Sequence, residues 1–163
     1  MRVLIFSRVT VNHGMSGGME ASLQDLVENL SERGIAVALV TTQGYRADHR
    51  TSVFDHVWMV GLTRKGKYSI AWWLGTIRHP AIKAWKPDLV VSISSAGSAS
   101  LLGNRTVKHV AQCHGTAVAE VASSIATPSP REALKIPLNF LRIFRETVAY
   151  RRFLEVWPVS DEV

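Results

Sequence analysis

The chain has 163 residues, 47% hydrophobic and 20% charged, with 19 Lys and Arg against 13 Asp and Glu for a formal charge of +6. That length suits one domain with a real core, and the apolar fraction excludes disorder. The longest uncharged run, 89–104, is broken by Ser92, Ser94, Ser95, Ser98 and Ser100, which excludes a transmembrane helix of roughly 18 apolar residues.

Val3-Leu4-Ile5-Phe6 is wholly apolar and reads as a buried strand. Arg2 and Arg8 flank it too closely for a signal peptide. A long loop runs from Ser7 to Gly18. Met19, Leu23, Leu26, Val27 and Leu30 then fall on one helical face, and Gly34 stands where a C-terminal cap belongs. Residues 35–40 form the second buried strand, so the chain opens with a right-handed βαβ unit. The pattern repeats with a short strand at 57–60 and a helix carrying Ile70, Trp73, Leu74 and Ile77. Pro80 is expected to stop or kink that helix. The pair Trp72-Trp73 reads as core, with an interfacial anchor as the alternative.

A fourth strand spans 89–93, a Ser-rich helix 96–102 and a fifth strand 109–112. Residues 117–130 read as loop or broken helix. Pro137 can open a helix that runs to about Leu154. A last extended segment follows at 156–159, with Pro158 marking a sheet edge. The architecture is α/β, a doubly wound parallel sheet, in which ligands bind beyond the carboxyl ends of the strands.

Gly17 and Gly18 join the first strand to the first helix. Adjacent glycines at a helix N-terminus let a phosphate or sugar approach main-chain N–H groups, so both are candidate ligand-binding residues that should permit an approach a side chain obstructs, with a flexible connection as the plain reading. The glycines come too late for a nicotinamide fingerprint, and Thr41-Thr42-Gln43 offers no carboxylate to a ribose. No Gly-Lys-Ser/Thr phosphate loop exists, and no Cys/His cluster has zinc spacing. His114 follows the fifth strand, and Gly115 allows the sharp turn that aims its imidazole into the same cleft. The other five histidines read as loop histidines with no role. Cys113, the single cysteine, fits a reducing cytoplasm, and no neighbour in sequence identifies a base for it.

These motifs resemble the N-terminal domain of GT-B glycosyltransferases of family 4. The resemblance rests on residues 1–5, on Gly17-Gly18-Met19-Glu20 and on residues 30–37. It rests also on residues 86–91, on His114-Gly115-Thr116 and on Val159-Ser160. It implies a Rossmann-like domain over 1–160, one half of a GT-B fold, with 161–163 beginning a crossover to a donor-binding C-terminal domain that this chain lacks. That missing half would carry a Glu-x7-Glu signature and most nucleotide-sugar contacts. The resemblance further implies a retaining transferase moving a sugar to a glycan or lipid-linked acceptor, inactive as this piece alone. In it, Gly17 and Gly18 approach the donor and His114 touches the donor sugar in the catalytic site without acting as a base. Where many relatives carry His after the fourth strand, this chain has Ser92, Ser94 and Ser95. Ser94, Ser95 and Thr116 are the acceptor-binding candidates. No metal or organic cofactor is expected.

The segment 137–154 places Arg142, Arg145 and Arg152 near one helical face. A solvated basic face is the plain reading. The functional one is attraction to an anionic membrane surface, giving a cytoplasmic protein held peripherally. Nucleic acid is not an expected partner, because basic and aromatic residues are not interleaved. The competing class is a non-catalytic α/β module that binds an anion or partner through the same glycine loop.

Overall fold

The computed structural model of the chain describes residues 1–14, 17–47, 53–67, 69–114, 143–144 and 146–158. Its first half runs β1 (Arg2–Phe6), a 3-10 turn (Val11–His13), α1 (Gly18–Glu32), β2 (Ala36–Thr41), β3 (His56–Met59), α2 (Ile70–Ile77) and α3 (Pro80–Trp85). The second half runs β4 (Leu89–Ile93), α4 (Ser100–Gly103), β5 (Lys108–Cys113) and β6 (Glu155–Pro158), with residues 146–150 helical. One six-stranded sheet has the order β3-β2-β1-β4-β5-β6, and every pairing is parallel. This is a Rossmann-like α/β fold.

Parallel strands covered on both faces must be apolar throughout, and alternate side chains serve opposite layers. Val3 and Ile5 of β1 pack with Val37 and Leu39 of β2 against Leu23 and Val27 of α1. Leu4 and Phe6, with Ala38 and Val40, pack on the other face against Trp72 of α2 and Ala81 and Ile82 of α3. A one-residue slip between β1 and β2, now paired Val3 to Val37 and Ile5 to Leu39, would exchange the two sets.

Gly34 ends α1 as its place in the sequence implies. Its φ of +69° is left-handed, its N–H donates to the Ser31 carbonyl at 2.9 Å, and the Ile35 N–H donates to Leu30 at 3.0 Å. That is a Schellman closure. The sheet ends at β6, whose Pro158 faces no further strand, as an edge proline should.

α2 ends at Ile77 with Arg78 as its cap, before Pro80 as expected, and Pro80 occupies the first turn of α3, where a missing N–H costs nothing. Two expectations are corrected. The Ser-rich segment is helical only over Ser100–Gly103, because Ser hydroxyls there bond nearby backbone instead. The last helix ends by 150, not Leu154, and Arg152 lies in the turn beyond it. Arg152 therefore does not extend a helical face with Arg142 and Arg145, which lie outside the described residues along with 137–141.

His79 caps α3 by accepting the Ala81 N–H on Nδ1 at 3.2 Å. Burial pushes its pKa down from an ordinary 6.5 to about 4. The folded value lies below the unfolded one, so the unfolded chain takes up the proton first. This contribution to stability is whole above pH 6.5 and drains away as pH falls toward about 4, a loss of about 3 kcal/mol. Burial lowers His13 and His109 in the same direction. In urea titrations, stability is expected to fall across that window, and His79→Asn, which keeps a capping acceptor, should flatten the fall. An identical pH dependence in the variant would assign it to other groups.

Candidate functional site

Because all six strands are parallel, the loops leaving their carboxyl ends share one edge of the sheet. Within the long loop after β1, the segment from Ser7 to Gly14 is tied down by hydrogen bonds. The Ser7 N–H donates to the Val40 carbonyl at 3.1 Å, and its hydroxyl donates to Val9 at 2.6 Å. The Thr10 N–H donates to His13 Nδ1 at 3.2 Å, which leaves Nε2–H to donate to the Thr42 carbonyl at 3.3 Å. His13 is therefore a neutral strut between this segment and the end of β2, and burial holds its pKa below the ordinary value. The Thr42 hydroxyl closes the corner by donating to the Arg8 carbonyl at 2.6 Å.

Gly17 is the residue before α1, extended at φ −159° and ψ 172°, and no side chain caps the helix there. Neither Gly17 nor Gly18 is demanded by a left-handed backbone. Their uses differ. A Cβ on Gly17 would lie 2.7 Å from Glu20 Oε2, so that glycine makes room for the Glu20 carboxylate to fold back over the helix start. There the helix dipole is positive. A Cβ on Gly18 would meet nothing within 4 Å. Within the protein, Gly17 faces the Glu20 carboxylate and Gly18 borders open space.

His114 follows β5 and is half-buried. Its Nε2 is buried and has no hydrogen-bond partner among the described residues. Burial pushes its pKa down, and the Glu20 carboxylate opposes that shift. The end of β5 is tied to α1, since Gln112 Nε2 donates to Ser22 Oγ at 3.2 Å while Gln112 Oε1 is left without a partner. The fold thus brings the Gly17-Gly18 turn and His114 to one edge, beside Glu20. Gly115 and Thr116 lie outside the described residues.

The serines after β4 line the same edge unequally. Ser94 is half-buried with a left-handed φ of +50°, and its N–H donates to the Gln112 carbonyl at 2.8 Å. Ser95 is only 2% exposed, so it shapes the turn and Ser94 alone faces outward. Ser92 braces both, its hydroxyl donating to the Ser94 carbonyl and accepting from the Gly97 N–H, each at 2.7 Å. Cys113 is buried 3.8 Å from the Tyr150 hydroxyl, a packed thiol away from the cleft.

Sequence reasoning singled out the glycines and missed Glu20 and Gln112. The spacing Gly17-x-x-Glu20 could have found the first, because a carboxylate three residues past a helix cap favours the N-terminus. Nothing local marks Gln112, whose partner Ser22 is distant in sequence. Among the described residues no helix is long and apolar enough to cross a membrane, and no group of three His, Cys, Asp or Glu could hold a metal.

The family description Glycosyltransferase Family 4 matches residues 16–162 of the chain. No curated protein matches it.

Proposed function

Because the chain belongs to glycosyltransferase family 4, we propose that it forms the acceptor-side half of a retaining enzyme that transfers a sugar from a nucleotide-sugar to a glycan or lipid-linked hydroxyl. The observation that carries this reading is the meeting, at one sheet edge, of the Gly17-Gly18 helix start with His114 Nε2, which has no hydrogen-bond partner among the described residues. An anionic donor group gains the N–H dipoles of α1. A sugar hydroxyl satisfies His114, whose Nε2 is otherwise a buried polar atom without a bond among the described residues. Neutral His114 can donate or accept without carrying charge into the site. Ser94 is the acceptor-facing candidate after β4. The nucleotide is held mainly by a second Rossmann-like half, so the 163-residue chain alone is inactive.

The test is transfer by the chain together with its donor-side half, with the product anomer read by NMR. Retention supports the reading, and an inverted product or turnover by this chain alone would overturn it. Gly18→Val is expected to lower kcat/KM at least about tenfold by filling the donor's approach, equivalent to about 1.4 kcal/mol. Its melting temperature should move little, since that Cβ meets no protein atom. Undiminished transfer by the variant would remove Gly18 from the donor path.

A further inference from the structure

The loops leaving β1, β2 and β3 gather cations at the same edge of the sheet as the site above, toward the end of the sheet away from β5. Arg8 lies in the first loop, Arg46 in the second, and Arg64, Lys65 and Lys67 in the third. Segments 7–14, 42–47 and 60–67 of these loops contain no Asp or Glu. Arg46, Arg64, Lys65 and Lys67 are exposed, and Arg8 is half-buried.

The three loops are cross-tied. The Arg8 guanidinium donates to the Gly66 carbonyl at 2.9 Å, and the Gly66 N–H donates to the Thr42 hydroxyl at 2.9 Å. The Gln43 N–H donates to Thr63 Oγ1 at 3.0 Å. That hydroxyl donates onward to the Val60 carbonyl at 2.6 Å and closes the turn around Leu62, left-handed at φ +60°. The Arg46 N–H donates to the Asn12 carbonyl at 3.1 Å, and Asn12 Nδ2 donates back to the Arg46 carbonyl at 3.3 Å. The Lys65 stem lies against Gly44, 3.5 Å from where a Cβ would stand. Burial lowers the His13 pKa, and the Lys65 charge adds to that lowering, so the field of the cluster reaches the strut beneath it. A merely solvated basic face has no use for such bracing, because free charges spread apart. Cations fixed together at a cleft edge focus an attractive field on an anion.

We infer that the acceptor of this transferase carries an anionic group, a phosphate or a carboxylate, which the loops after β2 and β3 bind through Arg46, Arg64, Lys65 and Lys67. This rests on the sugar-transfer reading above and narrows its acceptor from any hydroxyl compound to a charged one. The loop after β3 and His114 after β5 are separated by four strand spacings of about 4.8 Å each. An anion held by the cations therefore stays clear of His114 and of a donor group at the start of α1.

The test is an NMR titration of the isotope-labelled 163-residue chain with glycerol phosphate, glycerate and glycerol, which needs no sugar transfer. One or both anions should shift the amide signals of Arg46, Lys65 and Lys67, and glycerol should leave them in place. A response to one anion alone identifies phosphate or carboxylate as the group bound. The double variant Arg64→Gln, Lys65→Gln should weaken that binding about fivefold. Both positions are exposed, so the variant keeps the fold. In the complete enzyme it should raise the acceptor KM by a similar factor and leave the donor KM unchanged. An equal response to glycerol, or an unaltered acceptor KM, would overturn the inference. So would shifts confined to Gly18 and His114, which mark the donor's place. An inverted product ends the retaining reading without moving these amide signals, so the two fail separately.

Discussion

Replacing His114 with alanine is expected to cut sugar transfer about a hundredfold in the complete enzyme, the usual cost of losing one preorganised hydrogen bond to a reacting substrate. Its melting temperature should stay nearly unchanged. The imidazole is half-buried, and its Nε2 has no hydrogen-bond partner among the described residues, so truncation orphans none of them at that nitrogen. Burial lowers the His114 pKa from its ordinary value, so in the proposed site the imidazole is expected to act uncharged near neutral pH. Acidification protonates it, and the wild-type rate should fall there while the alanine variant loses that limb of the profile. His114→Gln, which restores a polar group, should recover part of the rate. Full transfer by His114→Ala, or a loss that follows unfolding, would end its role in the cleft.

Trp72→Ala is expected to give the largest loss of stability. Trp72 is fully buried, packed against Leu4, Phe6 and Val40, and its Nε1–H donates to the Ala96 carbonyl at 3.0 Å. Deleting a buried tryptophan costs about 3–5 kcal/mol through lost transfer energy and the cavity left behind. For a domain of this size that lowers the melting temperature by roughly 10 °C. Ala96 sits in the turn after β4, so the same substitution loosens the serines at the cleft edge. Trp72→Phe keeps most of the volume but loses the bond to Ala96, and should fall between. A melting temperature unchanged in Trp72→Ala would mean that α2 does not hold the sheet as its packing implies. The neighbouring Trp73 shows why the pair had two readings: Trp72 is core, and Trp73 is half-buried on an apolar groove with Ile77 and Leu102.

The strands and α1 were legible in the sequence because a parallel sheet covered on both faces needs unbroken apolar runs, and a covering helix needs an apolar stripe. Both requirements are local. Gly34 and Pro158 were legible for the same reason, since a left-handed cap and an edge strand each constrain one residue. The Ser-rich segment after β4 was not, because whether a serine joins a helix or bonds its own backbone depends on what neighbouring strands supply. At Ser94 that is the Gln112 carbonyl. Pro80 marked the end of α2 in the sequence but not the start of α3, because the same missing N–H that breaks a helix interior also suits a helix start.

The sequence by itself determined the parallel α/β class, the order of its elements and the two loops that flank the cleft. Those follow from hydrophobic period and turn chemistry within a few residues of each other. Tertiary structure alone decided what those loops present. It folded Glu20 over Gly17, left Gly18 facing open space, aimed Gln112 at Ser22 and buried His114 Nε2 without a partner among the described residues. It also moved Arg152 off its helix to line a pocket with Arg105 and Lys108 where β5 begins. The physical reason is range. Burial and charge act between side chains that adjacent strands bring together from distant segments, and no local spacing encodes that meeting.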